Sequence, residues 1–98
     1  MTEKHIEQKL TTAVKSLGGI AIKINSLSMS GLPDRLVLLP EGKALFVELK
    51  APGKKMRALQ VKRKRHLEEL GFLVYCIDDV NQIEKILKGV MPNEVHTT

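Results

Sequence analysis

The sequence predicts an α/β fold, a mixed sheet flanked by helices. Three observations predict it. Apolar spacing switches between helical and strand-like periods in the order helix, three strands, helix, strand, helix. The stretch between the third and fourth strands is long enough for a right-handed parallel crossover. Strands two, three and four are apolar on both faces, a pattern that calls for cover on each side of the sheet. The chain has 98 residues, enough for one domain with one modest core. That domain is placed at residues 1–90, with 91–98 as a frayed C-terminal tail.

Residues 2–17 carry Ile6, Leu10, Ala13, Val14 and Leu17 at helical spacing, and Gly18-Gly19 stops the helix. Residues 20–24 alternate with period two and read as a strand. A serine-rich loop over 25–31 leads to short apolar strands at 35–39 and 44–50. Pro40-Glu41-Gly42 between them suits a tight hairpin loop: proline opens a type I turn and glycine takes the left-handed position. Ala51-Pro52-Gly53 breaks the third strand. A second helix spans 56–70 and is closed by Gly71. Residues 72–77 form a buried fourth strand, and Asp78 or Asp79 caps a last helix that runs to about Lys88.

The hairpin makes a geometric claim. With Leu39 opposite Lys43, Asp34 falls opposite Glu48 on the same face, and Lys50, two residues on, shares it. Directly opposed side chains have Cβ atoms about 5 Å apart, and like charges there repel. Two such carboxylates need a proton or a cation between them, and oxygen ligands suit Mg²⁺ or Mn²⁺. The alternative is a strand-end ion pair between Asp34 and Lys50 with Glu48 half exposed. Helical projection turns Gln60 toward the sheet with Met56, Leu59, Arg63, Leu67 and Leu70. There its amide either holds a water or phosphate oxygen or bonds to backbone in the core. Glu7 lies at the edge of the first helix's apolar stripe.

Net charge is +5, and its distribution says more than its size. Lys50 to Arg65 hold eight of the sixteen basic residues and no acid. Such a face attracts a phosphate backbone, or it is simply a solvated helix. Other classes drop out. A single cysteine, Cys76, permits no internal disulfide, and the three histidines lack zinc spacing. The longest apolar run, Phe72 to Ile77, is too short to span a membrane. Met1 to His5 lack the apolar stretch of a signal peptide, so a cytoplasmic protein is expected. Only three aromatics argue against a surface that stacks single-stranded bases.

Gly31-Leu32-Pro33-Asp34, Val47-Glu48-Leu49-Lys50, the Ala51-Pro52-Gly53 turn, Gln60, and Leu70-Gly71 before an apolar strand occur together in that order. Pro33-Asp34 followed by Glu48-Leu49-Lys50 resembles the PD-(D/E)XK nuclease signature, and the wider set is similar to its VRR-NUC branch, the virus-type replication and repair nucleases. The stand-alone members of that branch look like compact relatives of Holliday-junction resolvases. The resemblance implies a restriction-endonuclease-like αβββαβ core and a Mg²⁺- or Mn²⁺-dependent endonuclease acting on branched DNA. It implies Asp34 and Glu48 as metal-binding acids with the Leu49 carbonyl completing the shell. Lys50 would be the catalytic lysine, Glu7 the first-helix acid and Gln60 the second-helix glutamine. Lys54, Lys55, Arg57, Lys62 and Arg65 would anchor DNA without reading sequence. Met56-Arg57 departs from the apolar residue and serine cap of many relatives, and no tryptophan follows Gln60. Resolving a four-way junction takes two cuts, so a symmetric homodimer is expected. The compact form also suggests a bacterial or phage source. The rival readings are a non-catalytic DNA-binding module and a sequence-specific restriction-type nuclease.

Overall fold

The computed structural model describes residues 1–91. Its elements are α1 (Glu3–Ser16), β1 (Ile20–Lys23), β2 (Arg35–Leu39), β3 (Lys43–Leu49), α2 (Ala58–Glu69), β4 (Leu73–Ile77) and α3 (Asn81–Val90). The four strands form one mixed sheet in the order β1-β2-β3-β4. The first three are antiparallel neighbours, and β4 returns parallel to β3 through the α2 crossover. The architecture expected from the sequence is therefore present.

Alternation along each strand sorts the side chains into two layers. Val37, Leu39, Leu45, Val47, Leu49 and Ile77 face one way and meet Ile6, Leu10 and Val14 of α1 and Ile83, Leu87 and Val90 of α3. This layer is the core. Met91 belongs to it as well: it is buried, and its N–H donates to the Leu87 carbonyl, so it is not part of a frayed tail. Residues 92–98 of the expected tail lie outside the described residues.

The start of the sheet is set by the end of α1. Gly18 takes φ +85°, its N–H bonds to the Lys15 carbonyl, and the Gly19 N–H bonds to the Val14 carbonyl. This double bond pattern ends the helix and turns the chain into β1. A Cβ on Gly19 would stand 2.4 Å from the Leu38 carbonyl oxygen, so only glycine fits where the chain crosses β2.

The opposite layer is covered less well than expected. In α2 only Gln60 and Leu67 are buried, while Leu59 and Leu70, expected to face inward, are exposed. A helix this charged offers a stripe too narrow to roof four strands, and α2 packs along β4. Phe46 and Phe72 meet edge to face at 5.8 Å, and Phe72 remains half exposed. Towards β1 the layer is open, with Ile20 57% and Ile22 41% exposed beside Leu38 and Leu36.

The β2–β3 hairpin has the expected register, Leu39 opposite Lys43. Its loop differs. Pro40–Gly42 form a short 3₁₀ turn in which Glu41 itself adopts φ 65°, ahead of Gly42 at φ 73°. A type I turn has negative φ at both central positions, so the loop reverses direction by two successive left-handed residues instead. Left-handed backbone costs a non-glycine residue about 1–2 kcal/mol. Glu41→Gly is expected to stabilise the protein by about 0.5–1 kcal/mol after glycine's greater loss of chain entropy. Thermal unfolding should show a midpoint several degrees higher, and an unchanged or lower midpoint would contradict the strain.

Candidate active site

Asp34 lies one residue before β2. Its carbonyl still accepts from Ile24 N–H at 2.7 Å, holding it to the end of β1. The β2–β3 ladder stops at Arg35 opposite Val47. Continued, it would set Leu49 opposite Pro33, but the Asp34 side chain takes that place: Oδ2 accepts from Leu49 N–H at 2.8 Å. Pro33 fixes the local backbone, and Asp34 is thereby folded onto the end of β3.

Glu48, on β3, is 2% exposed, at the end of the layer beneath α2. Its Oε2 accepts from Gln60 Nε2 at 2.7 Å and lies 3.2 Å from Lys50 Nζ. Its Oε1 is buried and has no partner. Burial, then the neighbouring Asp34 charge, pushes its carboxyl above the usual range, while Lys50 and the Asp34 main chain pull the other way. Lys50 pairs with Glu48 rather than with Asp34, so the simple strand-end pair considered for Asp34 and Lys50 is not formed. Main-chain pairing continues past β3 as Lys50 N–H donates to the Ile77 carbonyl at 2.9 Å, which keeps Lys50 in register on the same face.

Of the two possibilities left open for the Gln60 amide, the bond to backbone is formed, and its other arm goes to a carboxylate. Its Oε1 accepts from Arg57 N–H at 2.8 Å, closing the first turn of α2, and its Nε2 donates to Glu48. Arg57 offers no side-chain cap of its own, so Gln60 supplies the missing end group. Helix start and carboxylate are held by one side chain.

Glu7 is not brought to this group. It pairs with Arg35 at 2.7 Å on the α1 side of the sheet, and that guanidinium holds its carboxyl below the usual range. Arg35 is the odd neighbour of Asp34 and must point to the other face; strand parity was the available signal. Cys76, opposite Glu48 in the parallel register, was not foreseen at this place, and burial pushes its thiol up.

Lys54, Lys55, Arg57, Lys62 and Arg65 are all exposed, and none forms an ion pair among the described residues. They divide into two groups. Lys54, Lys55 and Arg57 precede α2 at the end that carries Gln60. Lys62 and Arg65 fall on the outward side of α2, turned well away from Gln60 at 100° per residue.

Among the described residues no three acid, histidine or cysteine side chains converge as a ready metal cage. The side-chain donor set is therefore the Asp34 and Glu48 carboxylates. That set fits Mg²⁺, which uses one or two carboxylates and keeps several waters. An unpartnered, buried carboxylate oxygen beside a second carboxylate is a place that a dication would satisfy.

No family model matches the chain. It is 43% identical over 88 residues to a protein of Acyrthosiphon pisum secondary endosymbiont phage 1 named "Putative nuclease p44", covering 90% of this chain and 94% of that one. A solved structure described as a VRR_NUC domain superposes with a TM-score of 0.82 at 27% identity, over 90% of this chain and 97% of the other. With relative and structure each matched along nearly their whole length, the chain belongs to the VRR-NUC family.

Proposed function

We propose that the protein is a Mg²⁺- or Mn²⁺-dependent, structure-selective DNA endonuclease that hydrolyses phosphodiester bonds in branched DNA such as Holliday junctions. The observation that carries this reading is Glu48: a buried carboxylate with one oxygen unpartnered, facing a second acid at the end of a hairpin. A buried charge is costly unless fully paired, and Lys50 and Gln60 pair only Oε2. The name of the phage relative and the VRR-NUC fold support the nuclease class.

Asp34, Glu48 and the Leu49 carbonyl would hold the metal. When bound, the cation supplies Lewis-acid polarisation of a phosphodiester. Leu49 suits its part because Asp34 grips its N–H, which fixes the peptide at the strand end. Lys50, paired with Glu48, acts as a fixed cation that stabilises charge growing on the phosphate oxygens. Gln60 is a positioning residue: it holds the Glu48 carboxylate through Oε2 and leaves Oε1 free. Lys54, Lys55 and Arg57 rim this end of the sheet and meet flanking phosphates. Contacts of that kind do not discriminate sequence, which favours recognition of DNA shape. Glu7 has no direct part in this scheme and steadies Arg35 beside Asp34.

The test is cleavage of end-labelled linear, flap, splayed and four-way DNA with and without Mg²⁺. Metal-dependent cutting of the branched forms is expected, with cutting lost but DNA binding kept in Asp34→Ala. Binding without any cutting would establish a non-catalytic module, and cutting of unbranched duplex at one sequence a restriction-type enzyme.

The open layer over β1 and β2 supports a homodimer, since a two-fold pair would bury Ile20 and Ile22 against the same patch of the partner. Sedimentation should show twice the 10.9 kDa chain mass, reverting to one in Ile22→Glu; a 10.9 kDa species alone would contradict pairing. No helix among the described residues is long and apolar enough to cross a membrane. With a phage relative, we place its action in the cytoplasm of a bacterial host.

A further inference from the structure

The loop between β1 and β2 carries features that the chemistry above leaves unused. Leu27 is 104% exposed, more than any other large apolar residue among those described, and Met29 is 44% exposed. Beside them the loop forms an open groove of about 220 Å³, lined by Asn25, Ser26, Met29 and Ser30 and ending at Asp34. Its lining is chiefly polar. That volume equals about seven waters, the scale of a single base.

The loop is tied down at its far side. Arg63 Nε donates to the Ser30 carbonyl at 3.1 Å. Gly31, at φ +80°, lies so close to α2 that a Cβ would stand 2.7 Å from the Leu59 carbonyl oxygen. The groove wall is thus anchored to the helix that also positions Glu48, while Leu27 stands in open solvent and Met29 lines the groove. Aromatic stacking is not available to this surface, because none of the three aromatics lies in the loop.

Resting on the nuclease reading, we propose that Leu27, backed by Met29, is a wedge that enters the base stack next to the scissile phosphate, and that the polar groove beside Asp34 receives the base it displaces. Apolar side chains inserted between base steps unstack them at a cost of a few kcal/mol per step. That cost is least where pairing is already interrupted. A leucine wedge therefore selects branch points over continuous duplex without reading sequence, and it sets the displaced base against the acid that carries the chemistry.

The probe is a four-way junction with 2-aminopurine at the branch point, whose fluorescence rises when the base is unstacked. It is bound to Glu48→Gln protein, so that no cleavage intervenes. A severalfold rise is expected on binding. Adding Leu27→Ser should remove at least half of that rise while affinity stays within about threefold, because phosphate contacts dominate binding. Leu27→Met should restore it. In the otherwise wild-type protein, Leu27→Ser should lower cleavage of intact junctions far more than cleavage of a substrate with an unpaired base at the same step. A full rise with Leu27→Ser overturns the wedge, as does equal loss of cleavage on both substrates. Sedimentation of Leu27→Ser as a smaller species than wild type also overturns it, assigning the side chain to contact with a second copy. A fluorescence response without cleavage by wild type would keep the wedge and remove the nuclease reading; cleavage without the response would do the reverse.

Discussion

Exchanging Glu48 for glutamine is expected to abolish metal-dependent cleavage while making the protein harder to unfold. The two effects have one cause. Glu48 is buried among groups that satisfy only Oε2, and the nearby Asp34 charge opposes its ionisation. A neutral amide keeps an acceptor for Gln60 and Lys50 and removes the repulsion with Asp34. The gain should be about 1 kcal/mol, the scale of one unmet buried hydrogen-bonding demand. The loss of cleavage should reach roughly 10³-fold or more, the effect of removing one fixed electrostatic group from an active site. Urea unfolding and junction cleavage on one preparation check both at once. Undiminished cleavage would take Glu48 out of the site. A destabilised variant would mean that the carboxylate is already satisfied in the folded chain. Strain of this kind is held by the surrounding structure and released by binding.

Neutralising basic residues should separate two groups that the sequence presents as one run. For duplex DNA, removing one side chain that neutralises a phosphate lowers the slope of log affinity against log salt by about 0.9. Lys54→Ala with Lys55→Ala removes two charges from the rim next to Gln60, and a fall of nearly two in the slope is expected. Lys62→Ala with Arg65→Ala removes two charges from the outward side of α2. An equal fall there would show that DNA wraps over the helix, and this is the outcome expected for a branched substrate with more than one arm. Titrations across a salt series distinguish these cases. An unchanged slope for both pairs would reduce the basic run to a solvated face. Lys64 belongs to neither group, because Glu68 already pairs with it at 2.7 Å.

Much of the site was legible because a tight loop sets the hairpin register. Once Leu39 meets Lys43, strand parity turns Glu48 and Lys50 to one face with no long-range information; Asp34 lies just beyond the ladder, and its side chain reaches Leu49 N–H instead of standing opposite Glu48. Gln60 was readable for the same local reason, through helical projection. The unread parts depend on contacts between distant segments. The parallel register that brings Cys76 opposite Glu48 has no turn to specify it. Strand parity turns Arg35 to the far layer, but its pairing with Glu7 there depends on the packing of α1, which no local pattern discloses. The second layer is open over β1 because the stripe of α2 is too narrow, although the strands beneath are apolar enough to call for a roof. Glu41 takes a left-handed conformation because loop closure, rather than residue preference, decides its backbone. Met91 packs in the core because the last turn of α3 carries it there.

The proposed reaction requires Asp34 and Glu48 to share one divalent cation. The direct measurement is anomalous X-ray scattering from crystals of the protein soaked in Mn²⁺. A single peak between the Asp34 carboxylate and Glu48 Oε1, absent from Asp34→Ala crystals, is the predicted result. Bound Mn²⁺ elsewhere, with that position empty in a protein that still cuts DNA, would contradict it.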